Sequence, residues 1–475
     1  MKRKKFITES ILYISFGMLS GCSTENVAIN DFMSHSQSSN LEFTDIEYKV
    51  LSNISKPRKI EPDEAKGNIA SYNNGTRSEK EQLQDKGIFT KIMLGNIDDS
   101  ISAILPDTLA YIYYSPYDDS YTITAADRRI DEPILAVVKD GNLIDEENSI
   151  EKSTILNTLS EYIYWSIKDY EDNKDIAMKE ILEKINSSTA STRALDDQGY
   201  TEDELLIVDY EFGEWNITDH IDELLNVEWS QGEPYNDKVK NKESCGTVPT
   251  GCVATAVAQI TSFWHYPTNI AGTSLNWAQL TSNKKIYTYE TNKVDQVSTL
   301  MKVIGEGSDM DYGCDGSGTD TDDGRDWLND HGYIGGTEND YNYGDVVSSL
   351  KSGCPVLASG YRELKDYIFF SVAAHGHAWV IDGFAERNRK RRRQVFAKDK
   401  KTGAQILITD KIYTEYSKLL HNNWGWGGNY NGWFPEGCFD SRNSSKRTDD
   451  ITRYDSSRNY RYDRKIYIGL KPANL

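Results

Sequence analysis

The sequence predicts an α+β protein, and three observations carry that prediction. Residues 109–138 read as three successive strands, with a turn between the first two. Two stretches of helical spacing follow, over 155–167 and 176–185. Much further along, a small-residue apolar helix begins beside Cys252, and an apolar strand begins at His377. Composition fits such a protein. Of 475 residues, 38% are hydrophobic and 11% aromatic, enough to build cores, and the length suggests two or three domains. The net charge of −21 excludes nucleic acid as the main partner, because phosphate binding needs a basic face. Six cysteines in this length cannot form a dense disulfide framework.

The elements can be justified in order. Lys2 to Lys5 form a positive start, an apolar stretch follows, and it ends in Leu19-Ser20-Gly21-Cys22. That pattern describes a secretory signal over residues 1–22, too short for a spanning helix. Leu-Ser-Gly-Cys resembles the bacterial lipobox, which implies lipid modification of Cys22, an exported chain and attachment to a membrane through lipid alone. Glu9 departs from the usual apolar core of such a signal. Past residue 22 no apolar run is long enough to cross a bilayer. A polar stretch to about residue 85 reads as a tether in its first half.

Leu109 to Tyr114 alternates as a strand, Ser115-Pro116-Tyr117-Asp118-Asp119 is a turn, and Tyr121 to Ala125 and Pro133 to Val138 are further strands. With the helical stretches they form a small α+β unit. Asn186 to Ala194 is polar and small, an exposed linker suited to proteolysis. Beyond it, Trp, Gly and Tyr become dense. The organisation is therefore a signal over 1–22, an N-terminal region over 23–193 and a C-terminal domain over 194–475. The run Arg389-Lys390-Arg391-Arg392-Arg393 reads as a solvated hairpin loop, with substrate or surface binding as the rival reading.

The chemistry lies in the C-terminal part. From Val253 the apolar residues Ala256, Val257, Ile260 and Trp264 recur at helical spacing, and Pro267 ends the segment. Cys252 thus sits at a helix N-terminus, whose partial positive charge stabilises a thiolate. The bland alternative is a packed structural cysteine. A cysteine nucleophile needs a base. His377 opens the strand His377-Ala378-Trp379-Val380-Ile381, from which it could face a helix N-terminus across a cleft. His375 is its main rival, and His421, His265 and His331 are lesser ones. The base needs an orienter, and Asn423 in Asn422-Asn423-Trp424-Gly425-Trp426-Gly427-Gly428 offers an amide with Trp424 as a shield. Gln231 lies about twenty residues before Cys252; alone it is a weak signal, but its side-chain N–H and the Cys252 backbone N–H would supply the two donors of an oxyanion hole.

The order Gln, Cys, His, Asn is that of papain-like peptidases. Gln231-Gly232-Glu233-Pro234-Tyr235-Asn236, Gly251-Cys252-Val253-Ala254-Thr255-Ala256, Gly376-His377-Ala378 with Val380-Ile381-Asp382-Gly383, and Asn423-Trp424-Gly425-Trp426-Gly427-Gly428 resemble the streptopain-type cysteine peptidases. So do Met310 to Gly318, Gly353 to Gly360, and, for an inhibitory propeptide, Tyr111 to Gly141 around Ala125-Ala126-Asp127-Arg128-Arg129. The resemblance covers roughly residues 105–435. It implies a papain-like domain, with a helical part carrying the cysteine and an antiparallel sheet carrying the histidine, preceded by an α+β prodomain. It implies Cys252 as nucleophile, His377 as base, Asn423 as orienter, Trp424 as shield and Gln231 in the oxyanion hole. Activation would follow a cut between Ser187 and Leu195, at Thr192, Arg193 or Ala194, by another protease or by self-processing. Substrates would be proteins or peptides.

The stretch Glu386 to Leu420 is longer than the family usually has and is read as a hairpin over the cleft. Rival readings are a non-catalytic surface binding protein on the same fold and an acyltransferase using the same triad. No cofactor or metal is expected. There is no zinc-type cysteine spacing, and the acidic cluster Asp315 to Asp326 fails the EF-hand pattern, which leaves a solvated loop. A Cys245–Cys252 disulfide would abolish nucleophilicity and is not expected.

Overall fold

The computed structural model describes residues 41–54, 56–72, 82–90, 99–130, 132–139, 150–189, 199–240, 245–314, 316–367, 370–398, 403–439 and 462–475. Cys22, residues 23–40 of the expected tether, Thr192, Arg193, Ala194 and Asp315 lie outside these residues, as does the side chain of His375, whereas the later part of that tether is ordered into a helix, Asp45–Ile54. Residues 39–475 form one compact unit. Among the described residues no helix is long and apolar enough to cross a membrane.

The first helices are fixed by their starts. Helix α1, Asp45–Ile54, begins with a capping box: the Thr44 N–H donates to Glu47 Oε2 at 2.6 Å and the Glu47 N–H to Thr44 Oγ1 at 3.4 Å. Helix α2, Pro62–Tyr72, opens on proline, whose missing N–H costs nothing in the first turn. Strand β1 is Gln84–Thr90, and β2, β3 and β4 are Thr108–Ser115, Ser120–Ala125 and Ile134–Lys139. The last three match the strands expected from alternation. The two helices expected over 155–185 are one helix, Ile150–Thr189. Its buried Ile155, Leu159, Ile163 and Ile167 sit four apart and face one core, while Ile181 and Ile185 face another. The linker therefore starts later than the sequence suggests, since Asn186 to Thr189 are still helical.

The Ala125-Ala126-Asp127-Arg128-Arg129 string ties these pieces together by pointing adjacent arginines at different helices. Arg128 forms a fork-to-fork pair with Glu64 of α2, both bonds 2.5 Å. Arg129 is buried, bonds both carboxylate oxygens of Asp127 at 3.0 and 2.7 Å, and reaches Glu171 of the long helix at 2.7 Å.

An eleven-stranded sheet runs from these N-terminal strands into the C-terminal part. Its order is β1, β2, β3, β4, then Gly432–Pro435, Gln405–Asn423, Phe370–Lys398, Val356–Tyr367, Tyr462–Ile468 and Thr337–Asp340. Strand β5, Leu205–Ile221, pairs with Phe370–Lys398 off this path. The join is Val138 opposite Gly432 and Val137 opposite Trp433. Glycine is required there, because a Cβ on Gly432 would lie 2.2 Å from the Val137 carbonyl oxygen.

One face of the C-terminal sheet packs Ala378 and Val380 against the helix Cys252–Trp264, which is buried at every position from Val253 to Ser262. The opposite face packs Trp379, Ile381 and Trp424 against the N-terminal core.

Two expectations are corrected. The basic run is not a solvated loop: it lies within the strand Phe370–Lys398, with Arg389 and Arg393 buried. The alternation of a strand sends every second arginine inward. The acidic cluster from Thr321 onward is not a loop but the helix Thr321–Asp330, where Arg325 pairs with Asp322 and Asp326 at 3.0 and 2.5 Å.

Replacing Arg129 with alanine leaves Asp127 buried without its partner, so Arg129→Ala should destabilise the fold by about 3–5 kcal/mol, read as a lower urea midpoint. Burial alone would raise the Glu171 carboxyl, but hydrogen bonds from Lys174 and Arg129 hold it below the ordinary carboxylate range. Its stabilising contribution is complete above the unfolded-state value and is lost as pH falls through the lower folded value. Arg129→Ala should therefore flatten the acid limb of the stability–pH curve.

Candidate active site

Cys252 is the first residue of its helix and is half-buried. The helix can begin there because Gly251 adopts φ 88°, a left-handed value that suits glycine. A side chain would also not fit: a Cβ on Gly251 would lie 2.5 Å from Met310 Sδ. The Gly251 carbonyl oxygen accepts from both the Thr255 N–H at 3.1 Å and the Thr255 hydroxyl at 3.0 Å, which fixes the first turn.

A disulfide holds the approach to this turn. Cys245 is bonded to Cys314, with Cα atoms 6.1 Å apart. It joins the loop before Gly251 to the hairpin 311–318, whose flank supplies Met310 and Ser317 against Gly251. Sequence reasoning considered Cys245 only against Cys252 and missed Cys314. Closing a loop of 69 residues is worth roughly 4 kcal/mol as an upper figure. Cys252, Cys354 and Cys438 form no disulfide among the described residues. Burial pushes both Cys354 and Cys438 above the usual thiol range, Cys438 far above it.

His377 lies on the strand Phe370–Lys398, opposite Gly360, and is buried. Its Nε2 lies 3.0 Å from the Trp424 carbonyl oxygen. Three indoles surround the imidazole, with ring centroids at 5.1 Å for Trp426, 6.2 Å for Trp379 and 6.4 Å for Trp424. The shield expected from Trp424 alone is thus shared, and Trp426 stands nearest. The second tryptophan of Asn-Trp-Gly-Trp was the available signal for it.

Asn423 does not bond His377 directly. Its Nδ2 donates to the Val227 carbonyl oxygen at 2.8 Å, and its Oδ1 accepts the Gly425 N–H at 3.3 Å. That second bond is an Asx-type turn, and it aims the intervening Trp424 carbonyl at the imidazole. Trp424 is itself held by its N–H to Asn431 Oδ1 at 2.9 Å and its indole N–H to the Tyr430 carbonyl at 3.1 Å. Gly425, at φ 73°, brings this loop onto the cysteine helix: a Cβ there would lie 3.1 Å from Thr255 Cγ2.

Gln231 belongs to a strap laid between the helix and this loop. Its carbonyl accepts the Thr250 N–H at 2.9 Å, two residues before Cys252. Two residues upstream, the Trp229 N–H donates to Gln259 Oε1 on the cysteine helix at 3.1 Å. The Trp229 carbonyl accepts the Gly427 N–H at 3.1 Å. The strap is anchored further back by Asp382, whose Oδ2 accepts the Leu225 N–H at 3.1 Å and whose backbone carbonyl accepts the Leu224 N–H at 2.9 Å. Gln259 and Asp382 were not singled out from sequence, although each stands within a quoted motif or directly after it.

The three lesser rival histidines have other employment. His421 Nδ1 lies 2.6 Å from Asp382 Oδ1. His265 ends the cysteine helix in a left-handed conformation and stacks on Trp277 at 6.2 Å. His331 stacks on Trp327 at 3.9 Å, with Nδ1 2.8 Å from the Trp327 carbonyl oxygen. Among the described residues no group of three or more His, Cys, Asp or Glu is arranged to hold a metal ion.

Comparison with known proteins matches this region. Residues 229–434 match the Peptidase C10 family. Streptopain of Streptococcus pyogenes serotype M1 is 26% identical over 253 residues, which are 44% of this chain and 53% of that protein. Streptopain of serotype M3, strain SSI-1, is also 26% identical, over 252 residues. The chain thus spans about half the length of the curated relatives it matches. A prointerpain A fragment of Prevotella intermedia aligns at TM-score 0.41 and 20% identity, covering 77% of this chain and 96% of that one. Active interpain A aligns at TM-score 0.33 and 25% identity, covering 53% and 95%. Residues 229–434 are thus similar to the Peptidase C10 family and to streptopain, the type that the motifs of this chain resemble.

Proposed function

We propose that this chain is an exported cysteine endopeptidase made as a zymogen, with Cys252 as nucleophile and His377 as base. The observation that carries the reading is the convergence of the Gln231 strap, the Cys252 helix and the Asn423–Gly427 loop, with His377 bonded to that loop. A carbonyl oxygen can only accept, so the Trp424 contact puts the proton on His377 Nε2 and leaves Nδ1 as the basic nitrogen. Nδ1 takes the Sγ proton as the thiolate attacks the substrate carbonyl carbon. The oxyanion so formed is met by the Cys252 N–H and the Gln231 amide. The imidazolium then protonates the leaving amine as the C–N bond breaks, which leaves a thioester. Water, losing a proton to Nδ1, hydrolyses it.

Substrates are proteins or peptides. The zymogen reading is supported by the N-terminal core that covers the His377 face of the sheet. Activation is a cut between Ser187 and Leu195, at Thr192, Arg193 or Ala194, by another protease or by the chain itself. Export and lipid attachment through Cys22 rest on the leader pattern.

The decisive experiment treats protein from Ser23 to Leu475 and its Cys252→Ala twin with trace trypsin under reducing conditions. Once the N-terminal segment has been both cut off and digested away, the wild type should gain casein cleavage and the twin, cut at the same place, should not. Equal inertness of two proteins correctly cut and freed of that segment would remove the peptidase reading.

Asn423 acts through the loop, so Asn423→Ala should lower kcat about a hundredfold with KM little changed and should displace the pH profile of kcat/KM. Asn423→Asp, which retains the acceptor for Gly425, should recover part of the loss. An alanine variant within twofold of wild type would rule out this positioning role.

Thiol mapping gives a third check. Brief iodoacetamide treatment of the unreduced Ser23–Leu475 protein near neutral pH should label Cys252 and leave Cys354 and Cys438 unmodified. Mass spectrometry should recover Cys245 and Cys314 as one linked peptide pair.

A further inference from the structure

The long stretch between His377 and Asn423 has a use that the peptidase chemistry does not need. Beyond the site, the strands Phe370–Lys398 and Gln405–Asn423 continue as a distal hairpin, with β5 along its other edge. Arg387, Arg389 and Arg393 share one face of it by strand alternation. That face carries the N-terminal helices.

Arg393 donates to the Tyr48 carbonyl oxygen of α1 at 2.5 Å and to Ser52 Oγ. Its guanidinium lies 5.2 Å from the Tyr48 ring and 4.8 Å from the Tyr413 ring, and those two rings stack at 5.1 Å. Arg387 lies 4.2 Å over the Tyr72 ring of α2 and bonds its hydroxyl at 3.1 Å. The same hydroxyl lies 3.0 Å from Ser417 Oγ on the hairpin's second strand. Towards the tip, buried Val395, Ala397 and Ile408 join Val50 and Leu51 of α1 and Ile181 of the long helix in one apolar cluster.

None of these contacts passes through the linker. The N-terminal helices end at Thr189 and β5 begins at Leu205, so a cut between them breaks no bond of the platform. A second attachment, β4 against Gly432–Pro435, lies in another part of the sheet. Two separate footholds on one rigid body reinforce each other, because losing one leaves the segment tethered beside it.

We propose that the paired strands 386–398 and 405–420 are a docking platform for this chain's own N-terminal segment and retain it after the linker is cut. The product of cleavage is then a nicked complex, and free enzyme appears only when the segment is destroyed or displaced. The recognised chemistry is a helix presenting a tyrosine ring, a main-chain carbonyl and a serine hydroxyl to a guanidinium, beside an apolar stripe. The meaning of the cut rests on the zymogen reading, but the test uses no enzymatic readout and so can fail independently of it.

The experiment uses the full Ser23–Leu475 protein with Cys252→Ala and a site-specific protease sequence inserted at 190–198. After complete cutting, gel filtration at micromolar and nanomolar concentration should show both pieces in one peak at the uncut position. Tyr48→Ala on the segment should weaken retention at least tenfold. Arg393→Lys on the platform, which keeps the charge but loses the two-pronged donor, should do the same. Circular dichroism of each uncut protein checks that it is folded. Separation of the pieces at micromolar concentration with the platform intact would overturn the proposal. Retention unchanged in both variants would overturn it too, since the hold would then lie in the β4 ladder alone.

Discussion

Val380 lies opposite Asn423 across the antiparallel ladder, and Gly360 lies opposite His377 on the other side of the same strand. The positions of His377 and Asn423 follow from this register. A slip of one residue would exchange the two faces of the strand and turn Ala378 and Val380 away from the cysteine helix. The register also sets where the strand Gln405–Asn423 ends, and so where the Trp424 carbonyl emerges beside the imidazole. Packing on both faces holds it: the cysteine helix on one side and the N-terminal core on the other.

Within that frame the site is organised by backbone groups. The acceptor for His377 is a main-chain carbonyl, and the side chain that aims it, Asn423, bonds other main-chain atoms. The strap before Cys252 is likewise tied by main-chain N–H and C=O groups of Trp229, Gln231, Thr250 and Gly427. Such an arrangement tolerates little movement, because each bond depends on the path of a neighbouring loop. The surrounding indoles keep water from competing for the imidazole contact, which strengthens it in the lower local dielectric.

Much of this was legible in the sequence, for physical reasons. Helical spacing placed Cys252 at a helix start, and a short apolar run placed His377 on a strand. What escaped were relations between distant segments. A period cannot reveal that Cys314 is the partner of Cys245, nor that Trp424 offers its carbonyl where an asparagine amide was expected. The arginine run was misread because charge density favours solvent on average. Alternation within that run, which would have sent Arg389 and Arg393 inward, was masked by its unbroken charge. The long helix was divided because its apolar stripe turns from one core to another near Tyr170, and the polar Asp172 to Asp175 looks like a break.

The pairing of Val138 with Gly432 joins residues almost 300 positions apart. A strand laid down early in synthesis therefore waits for one made near the end, and the sheet closes only when nearly all the chain is present. Long-range pairing of this kind slows folding and raises the entropic barrier that must be crossed. Once the N-terminal strands are removed, the remaining polypeptide has an uncovered strand edge at Gly432–Pro435 and no template from which to rebuild that side. The persistence of the shortened protein then rests on the height of its unfolding barrier more than on an equilibrium it could re-enter.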